Sequence, residues 1–355
     1  ESVKLEANGA DLSFRQSGQK IVVTLDKAYN PADLITIRFK YSAKPAKGVY
    51  FVEPQIENGQ VERDAQIWTQ GEPEEARHWF PSYDFPDDKA TSEQIITIAK
   101  GETAIATGEF LGKKENADGT HTFHYRMNVP HSVYLTSFVI GKYVKISDSY
   151  KNIPLGFYVY PGTESIIPVA YGRTKDMFRI FEDLTGIEYP YNKYDQTMVA
   201  DFTFGGMENI TATTMADTEI LFARFNRNAV EDLVSHELAH AWFGNLVTCR
   251  NWAELWLNEG FATFMEAAYR EKMYGRADYI RKIKEDARSF FAFAATSKNR
   301  YALYNTLADP DVDDSLFNTV TYQKGGAVLH TLRETVGDEA FWKAVNVYLS
   351  RHKFA

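Results

Sequence analysis

The stretch Val234-Ser235-His236-Glu237-Leu238-Ala239-His240 decides how this chain is read. Two histidines four residues apart share one face of an α-helix, with their Cβ atoms about 5–6 Å apart. Imidazoles so placed can hold one ion between them, and Glu237 then points at the ion's open side. Two ligands are too few, because a catalytic zinc is held by three protein groups and keeps a fourth position open. Glu259 follows within Trp256-Leu257-Asn258-Glu259-Gly260-Phe261-Ala262. A helix, a turn and a second, antiparallel helix fill that separation and return a carboxylate to the ion. The expected metal set is His236, His240 and Glu259, one Zn²⁺ per chain, with Glu237 as general base and then acid. Asn228 followed by Glu231 predicts the helix start, and Gly244 its end. Glu266 lies one heptad beyond Glu259 and is expected as a solvated helix carboxylate rather than a support for an imidazole. Cys249 reads as buried and inert. His78, His121, His124, His131, His330 and His352 show no metal-ligand spacing and read as structural.

Outward from this motif, composition bounds the rest. The 355 residues suggest roughly two domains. Lys+Arg 39 against Asp+Glu 48 gives −9, which argues against nucleic acid or an anionic membrane surface as the main partner. No apolar run is long enough to span a membrane. One cysteine excludes an internal disulfide framework and any cysteine-based metal cluster. The fold class expected is α+β. Residues 1–148 read as an antiparallel, sandwich-like β-domain: Ile35, Ile37, Phe39 and Tyr41 alternate with polar neighbours, as do Phe123, Tyr125 and Met127. Asn116-Ala117-Asp118-Gly119 marks a hairpin turn. Residues 149–355 read as a small sheet plus helices, the helices expected over 171–184, from 228, and over 255–274, 277–291, 325–336 and 338–350. Phe341, Trp342, Val345, Tyr348 and Leu349 form an apolar stripe expected to pack on the preceding helices.

At these residues the sequence resembles the aminopeptidase N family of zinc metallopeptidases, the thermolysin-like gluzincins. His236, Glu237, His240 and Glu259 match the family's metal motif at every position. Gly205-Gly206-Met207-Glu208-Asn209 matches its Gly-x-Met-Glu-Asn element, and Tyr322-Gln323-Lys324-Gly325 its Tyr-x-Lys-Gly element. Thr69-Gln70-Gly71-Glu72-Pro73, with Ala76-Arg77, Phe80-Pro81 and Asp84, matches the β-domain loop that enters the active site.

The resemblance implies a zinc aminopeptidase with a thermolysin-like catalytic domain, acting on peptides with a free N-terminus. Tyr322 would donate to the oxyanion, and Lys324 would be structural. Glu208 would hold the substrate's α-ammonium with help from Gln70. The Gly205, Gly206, Met207 and Asn209 backbone would pair with the substrate. It also implies that the family's first β-strands and its C-terminal helical domain lie outside these 355 residues. A thermolysin-like endopeptidase is the alternative within enzymes. A scaffold of the same fold that had lost its metal ligands is the alternative outside them, and the motif here is undamaged. Nothing favours an epoxide hydrolase. First-residue preference, oligomeric state and compartment stay open.

Overall fold

The computed structural model describes residues 2–5 and 10–355. Up to Gly141 the described residues form antiparallel strands joined by turns and by two longer loops, 24–36 and 70–88. Lys89–Ile98, His121–Ser132 and Glu109–Glu115 make one three-stranded sheet. Thr103–Ala106, Phe138–Gly141, Gln66–Thr69 and Val49–Val52 make a four-stranded one. The alternation at Phe123, Tyr125 and Met127 turns these three side chains inward. Phe123 and Tyr125 meet Ala104, Ala106 and Ile140 of the second sheet, so two sheets share one core. The Asn116–Gly119 turn forms as read, with Gly119 at φ +85. The run read as strand from Ile35 to Tyr41 is shorter. Only Ile37–Lys40 is strand, because that is the stretch registered against Ser2–Leu5.

From Val144 onward a second sheet system begins. Its order is Val144–Tyr150, Ile153–Val159, Tyr194–Val199, Ala212–Ala216 and Gly206–Met207. The two central strands Tyr194–Val199 and Ala212–Ala216 are buried along their whole length, as strands covered on both faces are. Gly206–Met207 pairs antiparallel with Thr214 and Met215 and is the free edge of this sheet. That edge faces the helix Arg227–Ala239, which carries both motif histidines.

This helix is capped by Asn226, whose side chain accepts from the backbone N–H of Ala229. Asn228, the expected cap, already lies inside the first turn, whereas Asn226 has the non-helical backbone that a cap requires. The helix stops at His240, earlier than Gly244, and Gly244 at φ +123 turns the chain four residues later. The helices Trp256–Tyr274, Arg276–Thr296, Gly325–Val336 and Asp338–His352 follow. Gly260 and Gly325 lie where two of them cross: a Cβ on either would sit 2.9 Å from the other's Cα. Only glycines allow helix backbones that close. The apolar stripe packs as expected on a preceding helix, Phe341 against Phe264 (5.3 Å between ring centres) and Tyr348 parallel to Phe261 (5.8 Å).

The β-domain is fastened to the helix-bearing half near the two motif histidines. The Trp68 indole donates to the carbonyl of Ala200 (3.0 Å), and Lys89 Nζ donates to the carbonyls of Asn245 and Leu246 (3.1 and 3.2 Å). The Trp252 indole donates to Glu74 (3.1 Å). These ties deliver the Gln70–Pro73 loop into the same cavity as the histidines.

Candidate active site and metal centre

His236 and His240 stand one turn apart with ring centres 4.7 Å from each other. The Nε2 atoms of both face one carboxylate oxygen, Glu259 Oε2, at 3.0 and 3.3 Å. Their other nitrogens are already engaged. His236 Nδ1 lies 2.7 Å from Glu266 Oε1, and His240 Nδ1 lies 2.9 Å from the carbonyl of Phe243. Both partners are acceptors, so each Nδ1 donates outward, which leaves each Nε2 free to turn a lone pair inward when a metal is seated. Three lone-pair atoms then converge within 4.8 Å of one another. Two imidazoles and a carboxylate so arranged fit a borderline divalent ion such as zinc, with room left for a fourth ligand.

Glu266 departs from the expectation of a solvated carboxylate. It is shielded between helices and accepts from His236. Its burial depends on Lys282 of the following helix, which no local pattern around Glu266 announces.

Glu237 points into the cavity, and its Oε2 has no hydrogen-bond partner among the described residues. Burial raises its carboxyl to about 8, against the opposing pull of His236 and His240. The edge strand passes directly over it: a Cβ on Gly206 would fall 2.4 Å from Glu237 Oε1. Gly205 holds the strand's course by accepting from the N–H of Ala216 (2.9 Å). Asn209 donates to Thr214 Oγ1 (3.0 Å), and Asn245 donates to the backbone carbonyl of Glu208 (2.9 Å). Those two bonds fix the Glu208 segment so that its carboxylate lies 3.9 Å from His240 Nδ1.

The cavity these groups share measures about 410 Å³. Gln70 enters from the β-domain, its amide donating to Met207 Sδ (3.2 Å) and to the carbonyl of Glu72 (3.2 Å), its Oε1 without a partner among the described residues. Tyr322 also lines the cavity, in a π-helical turn, Val320–Lys324, with its ring 6.0 Å from that of His236. Wide turns of this kind recur at functional sites. Burial first, and then the charges of Glu259 and Glu72, push its phenol well above the ordinary tyrosine range, so it stays a donor at neutral pH. Lys324 lies outside the cavity lining, its ammonium over the ring of Phe290.

The sequence reading missed Glu72. One of its oxygens lies within 4.8 Å of Glu208 and Glu259 oxygens, and its Oε1 has no partner among the described residues. Burial foremost, and then Glu208 and Glu259, raise it well above the usual carboxylate range. Glu72 lies two residues after Gln70 at the start of a turn closed by the N–H of Glu75 on the carbonyl of Gly71 (2.8 Å), so the loop that delivers Gln70 delivers Glu72 with it. The lining therefore holds Glu72, Glu208, Glu237, Glu259 and Glu266, and it includes no Lys or Arg.

Residues 169–355 match the peptidase family M1 domain, and residues 1–135 match the peptidase M1 N-terminal domain. The chain belongs to peptidase family M1. Among M1 relatives, glutamyl aminopeptidase of Bos taurus is 33% identical over 314 residues, covering 84% of this chain and 32% of the relative. Aminopeptidase N of Streptomyces lividans is 33% identical over 316 residues, 86% of this chain and 36% of the relative. The chain thus spans about a third of the length of these relatives. The crystal structure of an M1 zinc metallopeptidase from Deinococcus radiodurans superposes with a TM-score of 0.79 at 25% identity, covering 99% of this chain and 76% of that one. Native yeast LTA4 hydrolase shares the fold at 22% identity, with a TM-score of 0.83 over 99% of this chain and 55% of that one. The mixed fold with a β-rich N-terminal domain and a helical catalytic half is that of the M1 peptidases.

Proposed function

We propose that this chain carries the catalytic machinery of a zinc aminopeptidase that removes the first residue from peptides with a free N-terminus. The observation that carries the reading is the convergence of His236 Nε2, His240 Nε2 and Glu259 Oε2 beside the unpartnered Glu237 carboxylate, with two further buried carboxylates a few ångströms away. Zinc held by His236, His240 and Glu259 supplies Lewis acidity, polarising a carbonyl and acidifying water.

The remaining steps belong to the protein. Glu237 accepts a proton from the attacking water and delivers it to the leaving amine nitrogen, a transfer worth about 10²–10⁴-fold in rate. The Tyr322 hydroxyl donates to the oxygen on which negative charge develops, a contact worth about 3 kcal/mol. Glu208 and Glu72 receive the α-ammonium, and Gln70 Oε1 is an additional acceptor. A cation between two desolvated carboxylates relieves their repulsion, so the site selects for a chain end rather than an internal peptide. The edge strand Gly206–Met207, which lines the cavity, offers backbone groups to an extended substrate. With five carboxylates and no Lys or Arg in the lining, the cavity suits a neutral or basic first side chain.

The test is a panel of fluorogenic aminoacyl substrates and matched acetylated peptides, with and without a chelator. Free amines should be cleaved in a metal-dependent manner and acetylated ones far more slowly. Equal cleavage of acetylated peptides at internal bonds would overturn the exopeptidase reading in favour of an endopeptidase. Absence of any metal-dependent cleavage would overturn the enzyme reading.

A further inference from the structure

Behind the candidate metal centre lies a chain of ionic contacts that runs into a different helix. Lys282 of the helix Arg276–Thr296 is buried, with 6% of its surface exposed. Its ammonium lies 2.8 Å from Glu266 Oε2 and 2.7 Å from Asp286 Oδ1. Glu266 thus divides its two oxygens, Oε2 toward Lys282 and Oε1 toward His236 Nδ1 at 2.7 Å. Resting on the zinc reading of the site, we propose that Lys282 is a positioning residue for the metal: it locks the Glu266 carboxylate and thereby fixes the ring of His236.

The physical argument has three parts. A glutamate side chain has three rotatable bonds, and one hydrogen bond to an imidazole leaves it able to swing about that contact. A second contact from a buried ammonium removes that freedom, because both oxygens are then fixed by charge-assisted bonds. The imidazole inherits the restraint. With Oε1 held in place, His236 has one ring orientation in which Nδ1 donates and Nε2 faces Glu259 Oε2 at 3.0 Å.

His240 needs no such device. Its Nδ1 donates to a backbone carbonyl, that of Phe243, which is fixed by the turn itself. The two histidines therefore have unlike supports, one made by local backbone and one assembled from a helix about 45 residues downstream. Asp286 holds the far side of Lys282, one turn along the same helix. A neighbouring pair, Arg270 with Asp232, ties the Glu259 helix to the His236 helix in parallel, so Lys282 is not needed to hold those two helices together.

The decisive measurement is zinc affinity by chelator competition on the full chain, made alongside the urea stability of the metal-free protein. Outer partners of metal-ligating histidines commonly matter 10–100-fold in affinity. Lys282→Met should weaken zinc binding on that order, and Lys282→Arg, which keeps a charged donor, should recover most of it. In a Glu266→Gln background, Lys282→Met should add less than about threefold, because its route to the metal is already cut. Should Lys282→Met prove too unstable to assay, Lys282→Gln, which removes the charge but keeps a polar side chain, completes an equivalent cycle with Glu266→Gln and their double variant. A Lys282→Met protein that loses stability yet binds zinc within about twofold of the parent overturns the proposal, since a purely structural ion pair would behave so. Additive effects in the cycle overturn it as well. A parent chain that binds no zinc would instead sink the zinc reading itself.

Discussion

Gly260→Ala tests whether the close helix crossing sets the catalytic geometry. The new Cβ would lie 2.9 Å from Gly325 Cα, 3.0 Å from Gly325 C and 3.3 Å from the carbonyl oxygen of Thr321. Non-bonded carbons settle at about 3.5–4.0 Å, so the two backbones must part by roughly 0.6–1 Å. Overpacking of this kind costs about 1–3 kcal/mol, and the helix preference of alanine over glycine offsets about 1 of that. The net loss of stability is therefore modest, about 0–2 kcal/mol. Function is more exposed. Glu259 adjoins Gly260 on one helix, and Tyr322 precedes Gly325 by less than one turn on the other. Parting the helices moves the phenol away from the metal centre by the same distance, and a 1 Å misplacement can cost about 10²-fold in rate. His236, His240 and Glu259, the proposed metal ligands, all lie on the same side of the opened crossing, away from Gly325–Val336, so zinc content should stay at one per chain. Urea unfolding followed by tryptophan fluorescence, zinc analysis and kcat/KM on a fluorogenic aminoacyl substrate measure the three terms. A variant with kcat/KM within about threefold of the parent would refute the claim that this crossing positions Tyr322.

Other consequences can be checked separately. Gly206→Ala places a methyl group 2.4 Å from the Glu237 carboxylate, so kcat should collapse while the thermal midpoint barely changes; a fully active variant would show that the edge strand can move aside. Glu237→Gln and Tyr322→Phe should lower kcat by about 10²-fold or more with much smaller changes in KM, as groups acting on the transition state do; a Tyr322→Phe enzyme with normal kcat removes that residue from the chemistry. Burial lowers the Lys89 amine from 10.5 to about 8. The folded chain then releases this proton at lower pH than the unfolded chain. Below pH 8 the charged amine opposes folding, and between pH 8 and 10.5 that opposition fades, adding up to about 3 kcal/mol of stability. Lys89→Met should flatten this rise in urea titrations at pH 7.5 and 10, and an unchanged pH slope would show that the group is not depressed.

The parts of this site legible in the sequence are those governed by short-range geometry. Two histidines one helical turn apart, a glutamate between them and a carboxylate on the next helix follow from periodicity, and the structure brings His236, His240, Glu237 and Glu259 together. The sequence was also sufficient for the inward alternation of Phe123, Tyr125 and Met127. What it could not reveal depends on tertiary neighbours. Glu266 resembles any helix carboxylate until Lys282 closes over it from another helix. The cap at Asn226 competes with an equally plausible Asn228, and backbone dihedrals alone separate them. Glu72 was hidden for another reason: its place in the cavity is set by the turn that follows Gln70, closed by the N–H of Glu75 on the carbonyl of Gly71, and no periodicity marks such a turn.

The cavity's surplus of acid links this protein to its ionic surroundings. Glu72, Glu208, Glu237 and Glu259 repel one another wherever they are ionised together, and any cation seated among them relieves the folded chain but not the unfolded one. Zinc at a hundred times its dissociation constant adds about 2.7 kcal/mol to folding, a sizeable share of the 5–15 kcal/mol that holds a typical domain together. Metal supply then bears on how long the folded chain survives, whatever it does for the proposed activity. In a zinc-starved cell a larger fraction of these chains would open and be cleared by proteolysis, so their abundance would itself follow the metal.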